Sequence, residues 1–145
     1  MKSGTLKDGL GMTITFAGDA TFFLDVDPSS ITPPGIDGGD PINTTSHSNT
    51  TYRTKYPRTL VEITDASFTA AYDPDAYDDI LAQLNVNQAI TFTFPGTGTN
   101  TLVVYGFLKS FIPNELVEGE QATGEFEIVI TNDNAGTETG PDYTA

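Results

Sequence analysis

An antiparallel β-sandwich or barrel of about six or seven strands, with one flanking α-helix near residues 74–84, is the mainly β fold this sequence predicts. Three observations carry it. Apolar and polar residues alternate with period two in a series of short stretches, a single stretch follows the helical period instead, and Gly, Pro and Asn clusters separate them. At 145 residues the chain fits one domain, placed at 1–131, with 31–58 as a long loop between the second and third strands and 132–145 as a flexible C-terminal tail.

The first strand is predicted in "MTITFA", where Met12, Ile14 and Phe16 share one face and Thr13 and Thr15 the other. Ala17-Gly18-Asp19-Ala20 turns the chain into "TFFLDV", with Phe22, Leu24 and Val26 on one face, so the two strands form a first hairpin. In "TLVEITDASFTAAY", Val61 and Ile63 hold one phase while Ala66, Phe68, Ala70 and Tyr72 hold the other, and the slip at Thr64-Asp65 predicts a β-bulge. The helix begins on Asp73 as N-cap, with Pro74 at the first helical position and Asp75 near the positive end of the dipole. Tyr77, Ile80, Leu81 and Leu84 fall at i, i+3, i+4 and i+7 and form its packed face, leaving Asp78 and Asp79 toward water. "QAITFTF" buries Ile90, Phe92 and Phe94; beyond the "PGTGTN" turn, "TLVVYGFL" is apolar on both faces and is therefore central or meets another chain. "GEFEIVI" buries Phe126, Ile128 and Ile130, and after Thr131 the periodicity ends, which predicts the flexible tail.

Twenty acids against six bases give a formal charge of −14. That balance argues against binding nucleic acid by neutralising phosphates, although a negative wall can keep DNA from sticking. The absence of cysteine removes disulfides, thiol nucleophiles and cysteine-ligated zinc. No apolar run is long enough to span a bilayer, and the first residues lack the apolar core of a secretory signal, so synthesis in the cytoplasm with no membrane partner is expected.

Enzymatic chemistry finds no foothold. His47 stands in "TTSHSNTT" with no Asp, Glu or Cys pattern around it that would make a base or a metal ligand. Hydrolase and phosphate-loop motifs are missing. Acidic pairs such as Asp73/Asp75 have a sufficient reason in helix capping, while Asp37/Asp40 leave a weak Ca²⁺ site open without the EF-hand pattern. No catalytic residue, cofactor or metal site is therefore assigned.

The long loop is different. "ITPPGIDGGDPINTTSHSNTTYRTKYPR" holds almost no aliphatic residues, and its Pro33-Pro34 and Gly38-Gly39 do not suit a central strand. A structureless insertion of this size in a compact domain marks a functional loop. Three of the six bases, Arg53, Lys55 and Arg58, cluster there with Tyr52 and Tyr56. On so acidic a chain, a cationic and aromatic cluster favours docking to an acidic protein surface through Arg pairs and Tyr packing.

The loop sequence, followed by "EITDASFTAAYDPDAYDDILAQLN" and "ITFTFPGTGTNTLVVYGFLKSF", resembles in order and spacing the tail tube (major tail) proteins of long non-contractile-tailed bacteriophages, from about Ile31 to Ile130. Asn43 stands where the relatives' Ile-Asp-x-Thr stretch has aspartate. The resemblance implies a β-sandwich-like domain with a flanking helix. It also implies a virion tail protein whose hexameric rings stack into the tube that conducts DNA at ejection, with other tail proteins at the tube ends and no specific hold on the DNA. By the same resemblance the long loop is an assembly loop, mobile in the free subunit and ordered by its neighbours. Its inter-subunit residues would be Thr44, His47, Tyr52, Arg53, Lys55, Tyr56 and Arg58. Two other readings stay open: a small ligand- or carbohydrate-binding β-sandwich, and another phage head or tail protein such as a tail terminator or head decoration protein.

Overall fold

The computed structural model describes residues 12–18, 26–95 and 100–144. The predicted strand over 21–26 lies outside them except for Val26, as does the centre of the "PGTGTN" turn.

Among the described residues seven strands make the main antiparallel sheet. In order across it these are β1 (Thr13–Phe16), β8 (Gln88–Thr93), β9 (Thr101–Pro113), β10 (Thr123–Ile130), β7 (Ala66–Tyr72) and β2 (Val26–Thr32), and β13 (Asp142–Thr144) pairs with β9 beside this path. The sheet is mainly β as expected and does not close into a barrel. β1 pairs with β8 and β2 with β7, while the predicted first hairpin rests on residues 19–25, outside the described residues. β2 also runs further than expected, through Pro28 to Thr32. It tolerates a proline because it is a terminal strand of the sheet path, and its register slips between Pro28 and Ser30.

The period-two stretches of β1, β8 and β10 bury the residues they predict, Phe94 just beyond β8 only in part, whereas Val61 is exposed. Ile14 stands opposite Phe92, and Phe16 opposite Ile90, all four fully buried. On the other half of the sheet, Ile31, Phe68, Phe126 and Phe111 form one cross-strand row. The Phe68 and Phe126 rings stack with centroids 4.5 Å apart. Both halves feed a single hydrophobic cluster, so the sheet is folded over on itself, with the 13-residue β9 shared between the halves. β9 pairs with β8 up to Gly106 and with β10 from Gly106 onward. A Cβ at Gly106 would run into the carbonyl oxygen of Val129, so the hand-over point requires glycine.

The helix is shorter than predicted. A 3₁₀ turn, Pro74–Ala76, leads into α1, Tyr77–Gln83, and the Asp73 carboxylate accepts from the Asp75 N–H as an N-cap should. Ile80 packs inward and Leu84 partly so, but Leu81 is 68% exposed, a departure from the predicted face. Gln83 is buried in its place; Gln88 Nε2 donates to Gln83 Oε1 at 2.9 Å while Gln88 Oε1 accepts from Gly18 N–H. A buried amide pair thus clasps α1, β8 and the turn after β1, with both amide oxygens accepting.

Two further expectations are corrected. The slip at Thr64-Asp65 is no bulge: it separates a short strand, β6 (Glu62–Ile63), from β7, and bulge-like shifts lie instead at Pro28/Ser30 and Glu127/Ile128. The segment after Thr131 is not a loose tail. β11 (Asp133–Asn134) and β12 (Thr137–Glu138) form a hairpin across Ala135 and Gly136, both at positive φ, and β13 joins the main sheet with Tyr143 opposite Leu102.

Candidate functional site

Between β2 and β7 the chain leaves the sheet and returns as an arm. Ile36–Asp37 (β3) pairs with β6, and Ile42–Asn43 (β4) pairs with Lys55–Tyr56 (β5). At either end of the two ladders the pairing extends by one bond: Thr64 N–H donates to the Gly35 carbonyl, and Thr44 N–H to the Thr54 carbonyl, each at 2.9 Å. The segment expected to be structureless is therefore one long hairpin. Its sequence can do this because an edge-like ladder with both faces in water asks for no apolar alternation, only for partnered backbone groups.

Short polar side chains close the far end. Asn49 Oδ1 accepts from Ser46 N–H at 2.9 Å, Asn49 Nδ2 donates to the Tyr52 carbonyl at 2.8 Å, and Asn43 Oδ1 accepts from Thr45 N–H. Lower on the arm, Arg58 Nε donates to the Asp40 carbonyl at 2.7 Å, beside Gly39 at φ +77°. Asp37 Oδ1 is engaged by the Gly39 N–H at 2.8 Å. Among the described residues no three acidic, His or Cys side chains converge as a metal site would require.

All seven residues expected at an assembly surface lie on this arm. Thr44, Lys55 and Tyr56 are brought together around a shallow hollow near the tip, with Ser46, Ser48, Asn49 and Thr54. His47, Tyr52 and Arg53 sit on the outer turn and the returning strand, exposed, while Arg58 stands halfway down. Tyr52 is 80% exposed and Tyr56 67%. Residues 41–58 hold Arg53, Lys55 and Arg58 and no acid at all, while every acid of the chain lies elsewhere. Among the described residues the one ion pair is Lys109–Glu127, at 3.7 Å on the sheet. The arm's cations therefore have no carboxylate partner within the described part of their own chain.

A second feature was not visible in the sequence. The outward face of β2, β7, β10 and β9 carries two polar rows, Ser30–Thr69–Glu125–Ile112 and Thr32–Ser67–Glu127–Ser110, set side by side by the register. With Asp65 they line a groove of about 470 Å³ at the root of the arm. Only the alternation of Glu125 and Glu127 with the buried residues of β10 hinted at it. A smaller apolar hollow lies on the other side of the root, where Ile36, Leu60 and Val61 approach Asn132 and Pro141.

No helix among the described residues is long and apolar enough to cross a membrane. No family model matches the chain, and no curated protein does. Among solved structures, the fold is similar to that of a chain in the "Cryo-EM structure of the anti-feeding prophage (AFP) baseplate, 6-fold symmetrised", over 83% of this chain and 87% of that one, with a TM-score of 0.56 and 8% sequence identity. At that identity the likeness is one of fold.

Proposed function

We propose that this chain is a structural protein of a phage particle that assembles with copies of itself into stacked hexameric rings, forming a tail tube through which DNA passes at ejection. The observation that carries the reading is the arm: a hairpin with partnered backbone, exposed side chains and cations but no acid toward its tip, on a chain of net charge −14. Two such bodies repel each other, and the arm is the part of the described surface that an acidic neighbour attracts. The fold likeness supports the reading, since the matched structure is a six-fold symmetrised baseplate of a phage-derived particle. The role is structural rather than enzymatic, DNA is conducted without being specifically bound, and other tail proteins meet the tube at its ends.

A second reading, a ring component of the baseplate end of such a particle, is favoured by the matched structure being a baseplate. Negative-stain electron microscopy of the concentrated protein separates the two. Hollow tubes of variable length are expected; closed rings that do not stack would favour the baseplate reading, and a monomer at every concentration would refute both.

A further inference from the structure

The arm's cations need an acceptor, and the same fold supplies one. We infer that the groove on the outward face of β2, β7, β10 and β9 is the docking site for the arm tip of a second copy of this chain; the inference rests on the self-assembly reading above.

Charge and chemistry match. The groove presents Glu125, Glu127 and Asp65 beside the hydroxyls of Thr32, Ser67 and Thr69, and Ile112, 60% exposed, edges it. Carboxylates flanked by hydroxyls suit guanidinium and ammonium donors, and the exposed isoleucine suits the face of Tyr52 or Tyr56. Glu127 already meets Lys109 at 3.7 Å, but this is a solvent-exposed contact, with the side chains 54% and 41% accessible, and an incoming arginine can replace it at little cost.

The acceptor has to belong to another copy. Thr32 and Asp65, which line the groove, are the residues from which the arm leaves and to which it returns. The Gly35–Thr64 pair stands at the root and the Thr44–Thr54 pair near the tip, with two short ladders and an unpaired stretch between them, and no residue of the tip hollow also lines the groove. The hairpin therefore holds Arg53 and Lys55 far from the groove at its own root. Each copy offers a tip and, a fixed distance away, a groove. Such a contact is heterologous and propagates from copy to copy.

A charge-exchange experiment tests this on the full-length chain. One variant carries Arg53→Glu and Lys55→Glu, the other Glu125→Lys and Glu127→Lys, and assembly is followed by sedimentation velocity and negative stain, with circular dichroism to establish folding. Each variant alone is expected to lose assembly, because tip and groove then carry like charge. An equimolar mixture is expected to recover it, because each tip then meets a groove of opposite sign. If the lysine variant fails to fold, Glu125→Gln with Glu127→Gln replaces it and is expected to raise the concentration for half-assembly by about tenfold or more, the equivalent of roughly 1.4 kcal/mol. Wild-type assembly that survives the groove substitutions, or a mixture that stays dissociated, overturns the groove as acceptor while leaving self-assembly standing. Assembly that survives the arm substitutions overturns the arm's part in both, and a wild-type chain that never assembles overturns the self-assembly reading itself.

Discussion

Two antiparallel regions of this molecule pair their backbones alike and differ in what covers their side chains. Across β2, β7, β10 and β9, the row Ile31, Phe68, Phe126 and Phe111 turns inward, and Phe126 is 1% exposed. Along the arm, the pairs Ile36–Ile63 and Ile42–Tyr56 are equally apolar, yet Ile36 is 78% exposed. The ladder alone does not make a stable unit: an isolated two-stranded hairpin is marginal in water, and burial of a face is what adds the several kcal/mol that fix a strand. The body therefore folds for itself, while the arm holds its side chains out for something else to cover.

The comparison breaks most visibly if truncations in the two regions cost the same. Phe126→Ala removes the ring stacked on Phe68 and packed against Phe111, with centroids 4.5 and 4.7 Å away. It is expected to cost about 3–5 kcal/mol, enough to unfold a marginal domain, by urea denaturation. Tyr52→Ala, an aromatic truncation on the arm, is expected to change stability by no more than about 0.5 kcal/mol in the dilute subunit. Equal losses would mean that the arm is part of the core.

A smaller effect concerns the rim of the body's core, where Tyr72, Tyr77 and Phe111 meet edge to face. The Tyr72 hydroxyl is held above its ordinary value of 10.0, first by a hydrogen bond with Tyr77, then by burial, then by the Tyr77 charge. The native state thus favours neutral Tyr72 more than the unfolded chain does. Its contribution is complete below pH 10 and is lost as pH rises from there through the native value. Tyr72→Phe should therefore flatten the alkaline fall of the urea midpoint and leave the midpoint's pH dependence from 7 to 9 unchanged. A steeper alkaline fall in the variant would contradict the assignment.

How much of this was legible in the sequence follows from the same contrast. β1, β8 and β10 alternate because one face is buried, and their burial follows the predicted phase residue by residue. The arm leaves little such trace: its ladders are two residues each and mostly face water, and Val61, 54% exposed, shares a strand phase with the partly buried Ile63 while belonging to the arm's root. Leu81 misleads in the same way, since helical spacing gives it a packed position that the short α1 never covers. β11 and β12 are two residues each, too short for any period, and their turn places Ala135 at φ +51°, a residue that does not announce a turn. The cationic tip was legible because Tyr52 to Arg58 are neighbours in the chain. The groove was not, because its rows are assembled from four strands whose register, with shifts at Pro28/Ser30 and Glu127/Ile128, only the folded sheet defines.

The smallest expected change in stability makes the sharpest test of the contrast. Removing Thr44 to Lys55 and rejoining the arm's strands deletes the tip, with Tyr52, Arg53 and Lys55, but no residue of the hydrophobic cluster. The subunit's urea midpoint should barely move, while assembly in concentrated solution is lost. Amide exchange supplies the mechanism behind that pairing of results. In the dilute subunit the arm's bonded amides, Thr44 and Thr64 among them, open by local fraying of an uncovered hairpin, so they should exchange at least about a hundredfold faster than the amides of β10, which open only with the sheet. On assembly the arm's amides should slow toward the rate of the body. Arm amides as slow as those of β10 before any neighbour is present would show a hairpin stabilised from within, and the difference in cover between the two regions would then have no consequence for assembly.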